Sequence, residues 1–214
     1  SPDQPIQMID NWAYSPSVGY GGQPKVAIVD LADGASVFGI GLTNDAGMGR
    51  LLQADGRFGA AAQLQDSGAY SLLGQFETPL GNFIYTVRDG RTAFDVWRVG
   101  ENGGVSFVER SSLPWGPGMQ GTEISDLQLA SVGDRSFIIS TSALGNYIAA
   151  QMIRADGSIG GAQMLWADRG LGLNQPSHLA TIEMNGVTYV VVASSQSSSL
   201  TTLRLNYAGE LLPS

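Results

Sequence analysis

Short runs rich in Val, Ile, Leu, Phe and Tyr alternate along this chain with Gly, Asn and Asp dipeptides, and the last part shows the pattern most clearly. From His178 to Glu183 a first run leads to the pair Asn185-Gly186. A second, Val187 to Ala193, is nearly continuously apolar; a Ser-rich loop and a third run, Leu200 to Leu205, follow. Then come Tyr207, Ala208 and Gly209, and the beginning of a fourth run at Leu211. Runs of this length between turn residues read as β-strands. The continuity of Val187 to Ala193 predicts a strand covered on both faces, because a half-solvated strand alternates instead.

Three earlier segments repeat this plan. A first Gly/Asx turn recurs as Asp33-Gly34, Gly81-Asn82, Gly133-Asp134 and Asn185-Gly186, residues that tolerate the positive φ of tight hairpins. A second turn follows each, with an apolar residue four before a glycine and another two after it. The four copies are Leu52/Gly56/Phe58, Val99/Gly103/Val105, Ile153/Gly157/Ile159 and Leu205/Gly209/Leu211. The two turns lie about 22 residues apart and the units recur about every 50, a period that marks a tandem repeat.

The strands follow from the turns. First strands are predicted at Lys25 to Leu31, Tyr70 to Phe76, Leu127 to Val132 and His178 to Met184; second strands at Val37 to Leu42, Phe83 to Val87, Phe137 to Thr141 and Val187 to Ala193. Third strands surround Leu51-Leu52, Phe94 to Val99, Ile148 to Ile153 and Leu200 to Leu205. Fourth strands are Ala60 to Leu64, Val105 to Glu109, Gln163 to Trp166 and the residues after Leu211. Four antiparallel strands per unit of about 50 residues is the plan of a β-propeller blade. The expected fold is therefore all-β and propeller-like, with blades at about 24–66, 67–112, 123–168 and 177–214. Residues 1–23 form an N-terminal strand, Ile6 to Ile9, and a loop holding Trp12, Tyr14 and Tyr20. Either that strand completes the last blade and closes a four-bladed ring, or the four blades are part of a larger ring.

Composition agrees with many short turns: 29 of the 214 residues are glycine and 14% are charged. The net charge is −8 and the basic residues are scattered singly, so nothing here neutralises a run of phosphates. Nucleic acid and anionic membrane are set aside as partners. No apolar run approaches the roughly 20 residues of a membrane span, and no charged and apolar leader opens the chain. The numbering thus begins at a mature terminus or a boundary in a longer frame, or the protein is exported by another route. The absence of cysteine removes disulfides, thiolate nucleophiles and cysteine metal sites together. An acidic, Gly-rich, cysteine-free chain fits a secreted bacterial protein.

The stretch Asn185 to Ala193 followed by Leu203 to Leu211, with a fainter copy in Arg135 to Thr141 and Met152 to Ile159, resembles the propeller repeats of secreted bacterial calcium-binding proteins of the RTX type. More loosely, it resembles the lactonase-like propellers. The resemblance implies a propeller in an extracellular setting, with calcium as the one cofactor left open. The Gly-Gly-x-Gly-x-Asp calcium coils of RTX proteins do not occur in this sequence. The chain is also short for the six or seven blades of a lactonase-like ring.

Candidate chemistry is sparse. The single histidine, His178, opens a first strand, where a propeller has its central channel, and is a candidate acid/base group or ligand. The plainer reading is an ordinary polar strand-entry residue. Asp126 and Glu123 are the accompanying candidate ligands; Asp134 and Asp30 are grouped with them near strand entries, and Glu77 and Glu183 lie at first-strand ends. Converging carboxylates at a channel mouth would suit a hard cation such as calcium. No Gly-x-Ser-x-Gly elbow accompanies the histidine, which argues against serine-hydrolase chemistry. Trp12, Tyr14, Tyr20 and Trp115 are candidates to stack on sugar rings, or simply pin their loops. The function expected is a non-enzymatic extracellular scaffold that presents loops to a protein partner or completes its ring by self-association. The alternatives are a lactonase-like metal-dependent hydrolase and a subunit of a larger assembly.

Overall fold

A computed structural model describes residues 25–32, 34–40, 48–53, 55–64, 70–88, 93–112, 123–166 and 169–214. The predicted N-terminal strand, the aromatic loop of Trp12, Tyr14 and Tyr20, and Trp115 lie outside them. The described strands form four sheets of four strands each, every one a sequential antiparallel meander. The first holds β1 (Lys25–Leu31), β2 (Gly34–Ile40), β3 (Met48–Leu52) and β4 (Phe58–Gln63); the second β5 (Tyr70–Thr78), β6 (Gly81–Arg88), β7 (Ala93–Val99) and β8 (Val105–Ser112). The third holds β9 (Asp126–Val132), β10 (Arg135–Ser142), β11 (Tyr147–Ile153) and β12 (Ile159–Trp166); the fourth β13 (Pro176–Met184), β14 (Val187–Ser194), β15 (Ser199–Leu205) and β16 (Leu211–Pro213). Among the described residues the one helical piece is the 3-10 turn Arg169–Leu171. This is the all-β propeller architecture.

The second turns occupy the same place in every sheet. Of the first, Gly133-Asp134 and Asn185-Gly186 form their loops, whereas Gly34 and Gly81-Asn82 open second strands, the loop of the second sheet being Pro79-Leu80. The first hairpin closes at Leu31↔Gly34, Thr78↔Gly81, Val132↔Arg135 and Met184↔Val187. In the fourth sheet Asn185 and Gly186 both have positive φ, 53° and 73°, as a two-residue type I′ turn demands. The second strands consequently start at or just after the turn, earlier than the apolar residues alone indicate: β2 begins at Gly34 rather than Val37. The second turn carries a left-handed glycine each time, Gly56, Gly103, Gly157 and Gly209 at φ 81°, 76°, 83° and 86°. Each of these donates its N–H to the carbonyl three residues back, at 2.9, 2.8, 2.9 and 3.0 Å.

Those glycines also meet the preceding sheet. A Cβ on Gly157 would lie 2.2 Å from the ring of Phe83, one on Gly209 2.9 Å from Phe137, and one on Gly103 2.7 Å from Ser36 Oγ. The three contacted residues hold the same register position, two after the start of the second strand. Conformation and close approach thus select glycine together. Polar links add to the contact: Asn82 Nδ2 donates to the Asp30 carbonyl at 3.0 Å, Thr78 Oγ1 to that of Ala155 at 2.6 Å, and Arg135 lies 3.9 Å over the Tyr207 ring.

The core is three separate interfaces between successive sheets. Val29, Phe38, Ile84 and Trp97 fill the first; Phe83, Phe94, Leu127 and Ile138 the second; Phe137, Ile148, Val190 and Leu203 the third. No cluster among the described residues joins the fourth sheet to the first. The run Val187 to Ala193 departs from expectation here: β14 alternates buried and half-buried residues, covered by the third sheet on one face only. β10, by contrast, is buried on both faces from Phe137 to Ser142.

Candidate functional site

The first strands of neighbouring sheets approach one another, β1 with β5, β5 with β9 and β9 with β13. Side chains at their starting ends therefore come from different sheets to one edge. Asp126 opens β9 and His178 is the third residue of β13; the histidine Nδ1 lies 3.9 Å from Asp126 Oδ2. The imidazole is 78% exposed and the carboxylate 15%, so a shielded carboxylate faces an open imidazole.

Main chain fixes the carboxylate. Asp126 Oδ1 accepts the N–H of Leu127 and Oδ2 that of Leu179, both at 2.8 Å. The second bond crosses from the third sheet to the fourth, one residue beyond His178, and so ties the histidine's strand to the carboxylate. Charge-assisted bonds of this kind are roughly twice as strong as neutral ones.

A third member of the site carries no signal in the spacing analysis. Tyr85, on β6, reaches across to the third sheet and donates its hydroxyl to the Leu127 carbonyl at 3.4 Å. Its path runs over Gly74, where a Cβ would lie 2.2 Å from the Tyr85 hydroxyl, so glycine opposite the tyrosine is the sequence feature that points to it. Burial pushes the Tyr85 phenol up to about 12, with the Asp126 charge adding to the rise. Tyr85 therefore stays a neutral donor beside the carboxylate.

The remaining predicted residues are placed elsewhere. Glu123 is exposed in the segment leading into β9. Asp30, Glu77 and Glu183 sit near the far ends of β1, β5 and β13, and Asp134 lies in the β9–β10 turn, accepting the Tyr207 hydroxyl at 2.9 Å. Asp30 and Asp134 are thus not strand-entry groups beside Asp126. Asp30 and Glu77 line a crevice of about 350 Å³ between the first two sheets. Among the described residues no three His, Asp or Glu side chains come together as a metal site. Each Asp126 oxygen accepts one main-chain amide, which positions the carboxylate against the third and fourth sheets. No helix among the described residues is long and apolar enough to cross a membrane.

No protein-family model and no curated protein matches the chain. Solved structures do. The periplasmic gluconolactonase of Pseudomonas aeruginosa is similar with a TM-score of 0.64 at 18% identity, over 88% of this chain and 52% of that one. A putative 6-phosphogluconolactonase from Bacteroides uniformis gives 0.61 at 15% over 94% and 57%, and another from Bacteroides fragilis 0.61 at 16% over 89% and 53%. The chain thus spans about half the length of these neighbours. At these identities the likeness establishes the lactonase-like propeller fold. None of the three is named as an RTX-type calcium-binding protein. The expectation of a non-enzymatic scaffold is corrected by the same finding: these three structures that share the fold bear lactonase names, which favours the hydrolytic alternative.

Proposed function

We propose that this chain is part of a hydrolytic propeller that opens the cyclic ester of a sugar acid. The observation that supports this reading most is the likeness, over nearly the whole chain, to structures named as gluconolactonases. The His178–Asp126 pair is the group we assign to the chemistry. In the reaction a water oxygen attacks the lactone carbonyl carbon and the ring C–O bond breaks, leaving a free hydroxyl and a carboxylic acid that releases its proton to solvent. His178 accepts the proton of the attacking water and returns it to the departing ring oxygen. Asp126, held by two main-chain amides, lies 3.9 Å from the imidazole and is the group we assign to positioning it. No step is routed through a metal. The acidic, cysteine-free composition supports an extracytoplasmic bacterial setting.

The test is a pH-stat assay of the purified chain on glucono-δ-lactone, corrected for spontaneous opening. Hydrolysis above background is expected, falling on the order of a hundredfold in His178→Asn and less in Asp126→Asn. A folded chain that opens neither this lactone nor its 6-phosphate faster than buffer would refute the reading, as would an unchanged rate in His178→Asn.

A further inference from the structure

The contact between successive sheets has two halves, and among the described residues one of each is left unused. One half is a receiving face, built around the residue on which the next sheet's turn glycine sits: Ser36, Phe83 and Phe137 in the first three sheets. The equivalent residue of the fourth sheet is Tyr189, because Ile182↔Tyr189 matches Val29↔Ser36, Phe76↔Phe83 and Ala130↔Phe137 in register. The other half is a donating face with its turn glycine. The first sheet has this half, since the Gly56 turn shares its hydrogen bond and φ with Gly103, Gly157 and Gly209.

Both of these faces carry exposed apolar residues, with Arg204 and His178 among them on the fourth sheet and Asp30 and Arg50 on the first. On the fourth sheet Ile182, Met184 and Leu200 are 48%, 51% and 76% exposed, beside half-buried Tyr189 and Val191. On the first sheet Val26 and Ile28 are 64% and 50% exposed, and Ile28 pairs with half-buried Val37. β14 has the composition of a strand covered on both faces but is covered on one. Exposed apolar sheet faces of this kind mark interaction sites.

We propose that the occupant is a second copy of this chain, arranged head to tail, with the first sheet of each copy seated on the fourth sheet of the other and the Gly56 turn resting on Tyr189. Three observations favour a second copy. The two faces are the complementary halves of a contact already made three times within the chain. The chain spans about half the length of its structural neighbours, so a ring like theirs lacks about as much again. Two copies bring eight sheets, within the roughly four to eight blades of propellers, and a two-fold axis closes the arrangement.

Light scattering on the eluting 214-residue chain reads the outcome directly. Twice the chain mass of 22.5 kDa is expected. A monomer at tens of micromolar would overturn the proposal and assign the faces to other blades, and an open series of larger species would overturn closure. Leu200→Asp and Ile28→Asp alter exposed positions on the two faces, so each variant should keep its circular dichroism while its self-association weakens at least tenfold. Mixing the two should restore a one-to-one pair, since each retains the face that the other lacks. A dimer that survives Ile28→Asp but not Leu200→Asp would mean like faces pack together, and would refute the head-to-tail arrangement. None of these readings depends on lactone hydrolysis.

Discussion

The two inner sheets and the two outer ones share a register, yet their equivalent residues have opposite environments. Phe94 in the second sheet and Ile148 in the third are fully buried, while Leu200 at the same position of the fourth is 76% exposed. On the other side, Leu127 and Leu179 are 3% and 8% exposed, and Val26 at the corresponding place in the first sheet is 64% exposed. Strand pairing within each sheet is the same in all four. The difference comes from the neighbouring sheet, which teaches that burial here is a property of stacking and not of the strand. In a repeat architecture each unit hides surface only against the next one.

The largest effect expected from this comparison is on the residues beneath the turn glycines. Phe137→Ala should cost about 3–5 kcal/mol, since a fully buried ring leaves a cavity between the third and fourth sheets. Tyr189→Ala, its counterpart on the open face, should cost less than about 1 kcal/mol in the dissociated chain. Urea denaturation of both in dilute solution measures the gap, and equal losses would mean that the fourth sheet is already covered.

Next comes the turn itself. Gly157→Ala combines a left-handed φ of 83° with a Cβ 2.2 Å from the fully buried Phe83, and a loss of about 3 kcal/mol is expected from conformational strain plus overpacking. Gly186→Ala has a φ of 73° but nothing within 4 Å of its Cβ, so about 1 kcal/mol is expected. Thermal melts of the two variants separate backbone strain from contact with the neighbouring sheet.

The smallest effect is read in alkali. Tyr85 is raised to about 12 by burial against the third sheet, so the unfolded chain loses this proton before the folded one. Its contribution is complete below pH 10 and disappears as the pH rises towards 12, amounting to at most about 3 kcal/mol. Tyr85→Phe should flatten that part of the stability profile, and an unchanged slope would show that the ring is not held away from water.

Much of the architecture is legible in the residues. The later glycines place the second turn of every unit, because a left-handed backbone is a local demand that few side chains meet. The Gly/Asx pairs place the first turn directly in the last two units and two residues late in the second, where Pro79-Leu80 turns. The run Val187 to Ala193 misleads in one respect: its apolar residues announce a two-sided strand, whereas among the described residues one face is buried and the other half-buried. The approach of two candidate side chains is partly legible. Asp126 and His178 were singled out by residue type and strand position and do approach each other, while Glu123, named with them, is not brought into a metal-binding group. Tyr85 escaped because nothing in a β-strand's own pattern tells that its ring will cross to another sheet.

By itself the sequence determined the number of sheets, their meander order and the glycine turns, since strand alternation and turn chemistry act over a few residues. Only the tertiary structure decided which faces are covered, that Tyr85 reaches the main chain beside Asp126, and that Asp126 faces His178 of the next sheet. Those relations depend on how sheets stack, and stacking joins residues whose separation along the chain carries no periodic signal.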